Sequence, residues 1–209
     1  MTYPSSKSLD HLALVAGFCK DIQLAQYIDD ALGGSNERKV SIGQLFVAMP
    51  LNGLGFTGRT LHMYSEYFES KPLDRLLGEG ISADDINDDA LGRCLDALYD
   101  KGVSCLYQGI GERVVNHLGL DCQAVHLDST SFHYDGQATP VGEFGHIRIA
   151  RGYSRDHRPE LSQVILNLMC ENPSGIPVYM KPASGNNNDM EGFKQIVKAH
   201  IGSFCQRNH

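Results

Sequence analysis

The hydrophobic pattern of the chain changes once, at about residue 121, and this change constrains the fold more than any other feature of the sequence. Before it, apolar residues recur every three or four positions, as on one face of an α-helix. After it, apolar residues form short alternating or continuous runs bounded by turn residues, as in β-strands. The sequence therefore predicts an α+β protein, with an all-α domain over residues 1–120 and a mixed domain over residues 121–209.

The first domain is predicted to hold five or six helices. Ser41 and Gln44 have the spacing of a capping box ahead of an apolar segment, and Pro50 is expected to kink or end that helix. Asp88 or Asp89 is expected to cap a later helix. The apolar positions expected to face the core include Leu12, Ala16, Cys19, Ile22, Ala25, Ile28, Leu32, Leu61, Tyr64, Phe68, Leu91, Cys94, Leu95, Leu98, Leu106, Ile110 and Val114.

The second domain is predicted to hold three strands, over residues 123–132, 163–170 and 176–181. A turn at residues 171–175 is expected to join the last two strands as a hairpin. Asp189 is expected to act as a simple N-cap for a following helix. Three strands and one helix leave sheet edges unpaired, so the sequence predicts an incomplete α/β domain.

Composition indicates a soluble protein that buries a core, because 42% of the residues are hydrophobic and 21% are charged. No window approaches the roughly 18 uninterrupted apolar residues of a membrane helix, and no secretory signal is evident. The six cysteines are scattered without a C-x-x-C pair, which favours small buried thiols in a reducing compartment over a zinc site or a disulfide framework. A cytoplasmic protein is therefore expected.

The charge distribution argues mildly against nucleic-acid binding by the first domain. The net charge is −7, and residues 1–120 hold 10 basic against 16 acidic side chains. The basic residues concentrate in one stretch of the second domain, where acidic residues partly offset them. That stretch is either a solvated loop or a phosphate-contacting segment, and its arginines are Arg148, Arg151, Arg155 and Arg158.

Asp128 is the first candidate for chemistry, because it is a carboxylate within a predicted strand of largely apolar character. Carboxylates on rigid elements are the ligands that Mg²⁺ and Mn²⁺ sites use. The alternative is an ordinary, partly exposed strand carboxylate. An aspartyl-phosphate nucleophile is disfavoured, since the D-x-D pattern would need an acid where Thr130 stands. The glycine-rich nucleotide-binding loops and the G-x-S-x-G elbow of serine hydrolases are also missing from the sequence.

Taken together in order, several short motifs resemble the DDE transposases of bacterial insertion sequences. The resemblance extends from about Leu9 through nearly the whole chain, and the segment 87–96 is similar to the N-terminal domain of one branch of that group. The motifs that carry it are His126-Leu127-Asp128-Ser129-Thr130-Ser131-Phe132, Gly152-Tyr153-Ser154-Arg155-Asp156-His157-Arg158-Pro159, Gln163, Gly175-Ile176-Pro177 and Gly185-Asn186-Asn187-Asn188-Asp189.

The resemblance implies an RNase H-like catalytic domain in which three acidic residues hold two Mg²⁺ or Mn²⁺ ions. Asp128 matches the first acid, as a catalytic and metal-binding residue. The positions of the second Asp and of the Glu are implied to lie beyond His209, and Asp189 does not match either. The resemblance therefore implies the N-terminal portion of a transposase that cannot cleave or join DNA as this chain alone.

The resemblance also implies partners. The helical domain is expected to bind the terminal repeats of the element or a second protomer, and Arg151, Arg155 and Arg158 are expected to contact DNA phosphates. A homodimer or a pairing with a full-length transposase is expected, in the bacterial cytoplasm and associated with the nucleoid, without a membrane. The alternative is a non-catalytic regulator of transposition that binds DNA or another protein.

Overall fold

The computed structural model describes residues 6–33, 39–135, 147–153 and 157–187. The chain divides into two compact units, Met1–His117 and Leu118–His209. The first unit is helical and the second contains a three-stranded antiparallel sheet, so the fold is of the mixed α+β class that the sequence predicts. The predicted helix that Asp189 would begin lies outside the described residues.

Seven α-helices are present in the described residues, one or two more than the sequence predicts. The additional elements are short: one helix of four residues follows Pro72, because proline is favoured at the start of a helix. Two single 3₁₀ turns, Leu61–Met63 and Ala83–Asp85, also occur. The helices are α1 Leu12–Asp21, α2 Leu24–Leu32, α3 Ile42–Gly53, α4 Tyr64–Glu69, α5 Leu73–Leu76, α6 Asp88–Lys101 and α7 Val103–Leu118.

The predicted capping box at the start of α3 is confirmed. The amide of Gln44 donates to the Ser41 hydroxyl at 3.1 Å, and the Ser41 amide donates to Oε1 of Gln44 at 2.9 Å. Pro50 does not end this helix, which continues to Gly53. Pro50 has no amide hydrogen, so the helix lacks the hydrogen bond that this residue would otherwise donate to the carbonyl of Phe46.

The predicted cap of α6 is wrong by one residue. Asn87 is the N-cap, and its side-chain oxygen accepts a hydrogen bond from the amide of Ala90 at 2.9 Å. Asp88 and Asp89 instead occupy the first turn, where their charges interact favourably with the positive end of the helix dipole.

The core of the first unit is formed by the apolar faces of its helices. Two close approaches shape it: Gly43 of α3 lies against the backbone of Ala25 in α2, and the Tyr67 hydroxyl donates to the carbonyl of Leu51 at 3.1 Å. Leu95, expected in the core, is instead exposed. The most deeply buried side chains are Leu12, Ile28, Ala48, Leu51, Phe68, Leu76, Ile86, Leu91 and Cys94.

The second unit contains strands β1 Val125–Tyr134, β2 Ser162–Glu171 and β3 Pro177–Ser184. They form one antiparallel sheet in the order β1-β2-β3, with Asp128 opposite Leu168 and His133 opposite Gln163. The predicted hairpin is confirmed, and the strand ends differ from the predicted ones by one to three residues. Such shifts are expected because cross-strand pairing, which a sequence pattern does not contain, decides where a strand ends.

One face of this sheet is buried and carries an unusual share of polar side chains. Every second residue of β2 is buried, and three of these five are polar: Gln163, Asn167 and Glu171. Asn167 donates to the carbonyl of Lys181 at 3.2 Å, and Glu171 accepts from the amide of Ser174 at 3.1 Å. Hydrogen bonds of this kind offset the cost of removing polar groups from water.

The cysteines are free thiols among the described residues, as expected, but their burial varies. Cys19 and Cys94 are buried in the helical core, and burial raises the pKa of the Cys19 thiol. The expectation of uniformly buried cysteines is wrong for Cys105, which is exposed on α7.

Candidate functional site

Asp128 stands in the middle of β1, on the face opposite the buried residues of β2. Strand alternation puts His126, Thr130 and Phe132 on the same face, and all four side chains are exposed. The backbone amide of Ser129 donates to Oδ1 of Asp128 at 2.7 Å. Ser129, which lies between Asp128 and Thr130, is buried, as strand alternation requires.

The exposure of Asp128 weakens one argument made from the sequence. The carboxylate was expected to bear a desolvation cost inside an apolar strand, and an exposed carboxylate bears little of that cost. Its position is compatible both with a metal ligand reached from solvent and with an ordinary strand carboxylate. The catalytic role of Asp128 stays a prediction.

The described residues do not fit a two-ion site. Among them, no group of three or more His, Cys, Asp or Glu side chains could hold a metal ion. Asp128 alone supplies too few oxygens for ions that take six or more ligands.

A second feature lies where β1 ends and β2 begins, and three of the motif segments meet there. The backbone of Ala150 pairs with that of Gln163, with N–O distances of 3.1 and 2.9 Å. The side-chain Nε2 of Gln163 donates to the carbonyls of Tyr153 at 3.1 Å and Gly185 at 2.9 Å. The amide of Gly185 donates in turn to the carbonyl of Arg148 at 3.0 Å. We call this arrangement the Gln163 junction.

Two glycines are required at the Gln163 junction for steric reasons. A Cβ added to Gly152 would stand 1.9 Å from the carbonyl oxygen of Gly185, and one added to Gly185 would stand 2.0 Å from the carbonyl oxygen of Gln163. Both obstructing atoms belong to the backbone, which cannot rotate away as the end of a side chain can. The glycines therefore permit three segments to approach closely.

The junction displays part of the predicted arginine cluster. Arg148 and Arg151 are exposed on the segment that the junction holds. Arg158 forms an exposed ion pair with Glu160, which lowers the pKa of the Glu160 carboxyl and raises that of the guanidinium. Arg155 lies outside the described residues, and so does Asp189.

The structure does not bring the junction and Asp128 together. The register pairs Gln163 with His133, which is five residues from Asp128 along β1, or about 17 Å in an extended strand. An odd separation also puts the side chains of Asp128 and His133 on opposite faces of the sheet. The described residues thus contain two separate candidate features, an exposed acid and a basic segment.

The helical unit has a polar pocket of mixed charge beside the start of α6, lined in part by Lys39, Asp84, Asp85 and Arg93. The Lys39 ammonium lies 2.7 Å from Asp85. Hydrogen bonds from Lys39 and Ser82 lower the pKa of the Asp85 carboxyl to about 2. The charges largely compensate each other, so this surface is not a basic patch.

Residues 4–112 match a family described as a domain of unknown function (DUF4277). The match covers just over half of the chain. The chain belongs to this family. The matched residues comprise nearly all of the helical unit and stop before the sheet begins, so family membership does not by itself assign the Asp128 or Gln163 regions.

Comparison with curated proteins gave no match, and comparison with solved structures gave none. In the described part of the chain, no helix is both long enough and apolar enough to cross a membrane.

Sequence reasoning identified Gln163 only as one residue among the motifs. Its central position in the junction was missed, because the residues that it joins lie 10 and 22 positions away in the chain. A signal was present: a polar residue begins a strand of Val, Ile and Leu, at a position that alternation assigns to the buried face.

Proposed function

We propose that this chain is part of a DDE transposase of an insertion sequence. In this proposal the helical unit binds terminal-repeat DNA or a second protomer, and the arginines displayed by the Gln163 junction contact DNA phosphates. Asp128 is the first of three acids of an RNase H-like catalytic domain. The other acids belong to parts of such a protein that the described residues do not include.

Two general findings support the proposal. The DUF4277 family is often found in transposase-like proteins. In addition, an antiparallel sheet in the order β1-β2-β3, with an acid on the exposed face of the edge strand, is compatible with the opening strands of an RNase H-like domain.

The observation that carries the proposal is the Gln163 junction. Three of the motif segments on which the transposase resemblance rests are separate in the sequence, yet they meet around the buried side chain of Gln163. Packing at the junction explains why these residue types are needed. The glycines permit the close approach of the segments, and the glutamine side chain donates hydrogen bonds to two carbonyls. The same segment exposes Arg148 and Arg151, which supply positive charge in a chain of net charge −7.

We further propose that the 209-residue chain binds DNA without cutting it. A single carboxylate cannot hold the pair of ions that a two-metal displacement needs, and among the described residues no group of three or more His, Cys, Asp or Glu side chains could hold a metal ion. No cleavage step is therefore assigned to Asp128 in this chain.

The test measures binding of the purified chain to duplex DNA by fluorescence anisotropy, at salt concentrations between about 50 and 200 mM. Two of the duplexes carry the terminal-repeat sequences on either side of the gene, and a third is a scrambled duplex of equal length. Each phosphate contact contributes about −0.9 to the slope of log K against log salt concentration, so an R148Q/R151Q double variant should make the slope shallower by about 2. Arg75→Gln, which removes an exposed positive charge on α5, is the comparison variant. An unchanged slope for it assigns the phosphate contacts to the arginine segment, and a shallower slope assigns one contact to the helical unit as well.

The proposal would be refuted if the chain bound none of the duplexes. It would also be refuted if the R148Q/R151Q variant showed the same salt dependence of binding as the wild type. A parallel incubation with supercoiled plasmid and Mg²⁺ or Mn²⁺ should show no nicking. Nicking that disappears in Asp128→Ala would show that the chain completes an active site by itself. A further incubation adds the full-length enzyme. If the 209-residue chain binds the end duplexes, does not nick DNA and inhibits the full-length enzyme, the regulatory alternative is favoured.

A further inference from the structure

Tyr153 is the most exposed large aromatic or aliphatic side chain among the described residues, with 85% of its surface accessible. A single exposed apolar residue is common on proteins and needs no explanation by itself. Tyr153 differs from such a residue because of the backbone that carries it, which is held at the Gln163 junction.

The backbone from Arg148 to Tyr153 is held by hydrogen bonds at both of these residues. At its start, the Arg148 amide donates to the Ser184 hydroxyl at 3.0 Å, and the Arg148 carbonyl accepts from Gly185. At its end, the carbonyl of Tyr153 accepts from Nε2 of Gln163, a residue that is only 1% exposed. An aromatic ring on a fixed backbone loses less conformational freedom on binding than one on a loose loop, which favours a binding role.

Charge indicates the kind of ligand. Arg151 stands two residues before Tyr153 and Arg148 stands five before it, and both are exposed. An exposed aromatic ring with exposed arginines a few residues away in the chain is a combination that proteins use for unpaired nucleotides, since the ring stacks on a base while the guanidinium groups neutralise phosphates. A base within a duplex has no free face and cannot stack on the ring.

We propose that Tyr153 stacks on an unpaired base of a single-stranded nucleic acid, whose phosphates Arg148 and Arg151 contact. This inference rests on the proposed function, because it assumes that the arginine segment binds DNA. It adds that the segment prefers single-stranded to duplex DNA and assigns the preference to one side chain.

The experiment compares the binding of fluorescent oligo(dT) with that of an oligo(dA)·oligo(dT) duplex of equal length. Tyr153→Ala should weaken binding of the single strand by about 5- to 150-fold, the range found for removing one stacked base–aromatic contact. The affinity for the duplex should change by less than about twofold. The slope of log K against log salt concentration for oligo(dT) should not change, because no charge is removed. Tyr153→Phe keeps the ring and should bind oligo(dT) within about twofold of the wild type.

The controls separate the two proposals. Circular dichroism should show an unchanged fold for Tyr153→Ala, as expected for a side chain that is almost wholly exposed. Equal binding of oligo(dT) by the wild type and Tyr153→Ala would overturn the stacking inference and leave the proposed function intact. Equal losses on single-stranded and duplex DNA would also overturn it, since they would indicate a backbone contact. A wild type that binds neither probe would overturn the stacking inference, and one that also fails to bind the end duplexes would overturn the proposed function itself.

Discussion

Replacing Gly152 with alanine should destabilise the sheet unit, and the structure allows the effect to be estimated. The added Cβ would lie 1.9 Å from the carbonyl oxygen of Gly185 and 2.9 Å from Nε2 of Gln163, whereas ordinary contacts are longer than about 3.4 Å. Relief of the first contact requires the two backbone segments to separate by more than about 1 Å. The same Cβ crowds Nε2 of Gln163, so we expect the 2.9 Å hydrogen bond from that atom to the Gly185 carbonyl to be lost as well.

Two contributions make up the expected loss of stability. Inserting a methyl group into a packed contact costs about 1–3 kcal/mol, and leaving a buried carbonyl without its donor costs about 1–3 kcal/mol. The Gly152→Ala chain should therefore lose about 2–6 kcal/mol of unfolding free energy in its sheet unit. This is a large fraction of the stability of a typical domain, which is about 5–15 kcal/mol.

Hydrogen exchange is the suitable assay, because the chain has two compact units and a single unfolding transition is not guaranteed. The backbone amides of Gln163 and Gly185 should lose protection in Gly152→Ala, while amides in the helical unit should not change. Tyr153→Ala, at the adjacent exposed position, should leave the protection unchanged. Wild-type protection of both junction amides in Gly152→Ala would refute the steric reasoning.

Two further predictions concern the helical unit. Gly43→Ala should lower its unfolding free energy by about 1–3 kcal/mol, measured by hydrogen exchange of amides in the helical unit, because the new Cβ would stand 2.0 Å from the carbonyl oxygen of Ala25. The matched control is Gly92→Ala, in α6, where the added Cβ would meet open space, and it should stabilise the unit by up to about 1 kcal/mol. If both changes destabilised the unit, the contact between Gly43 and Ala25 would not be the cause. Separately, the folded-state pKa of Asp85 is about 2, below its ordinary value of 3.8, so the stability that it contributes is present above about pH 4 and is lost as the pH falls toward 2. Lys39→Gln should reduce this acid-dependent loss in thermal unfolding measured between pH 2 and 4, and an unchanged pH profile would show that the pair contributes nothing.

Features that depend on neighbouring residues could be predicted from the sequence. The capping box of Ser41 and Gln44 spans three positions, so its residue types and spacing were sufficient. The alternation along β1 and the hairpin of β2 and β3 follow equally local rules. Asn and Asp are both favoured as N-caps, so the sequence could not decide which of the adjacent residues caps α6. The cap is Asn87 rather than Asp88.

The candidate site could be predicted only in part. Asp128 and the arginines were identified by residue type, but their surroundings were not. Exposure of Asp128 depends on which face of the sheet is covered, and pairing of Arg158 with Glu160 depends on side-chain geometry. Neither is contained in the periodicity of a segment.

The amino-acid sequence by itself determined the two kinds of secondary structure, their order and the change between them near residue 121, because periodicity and turn residues act over a few positions. The tertiary structure alone decided that Gly152, Gln163 and Gly185 form one junction and that it lies about 17 Å along the sheet from Asp128. The physical reason is that hydrogen bonds and close backbone contacts between residues distant in the chain exist only after the strands have paired, and strand register is what places them.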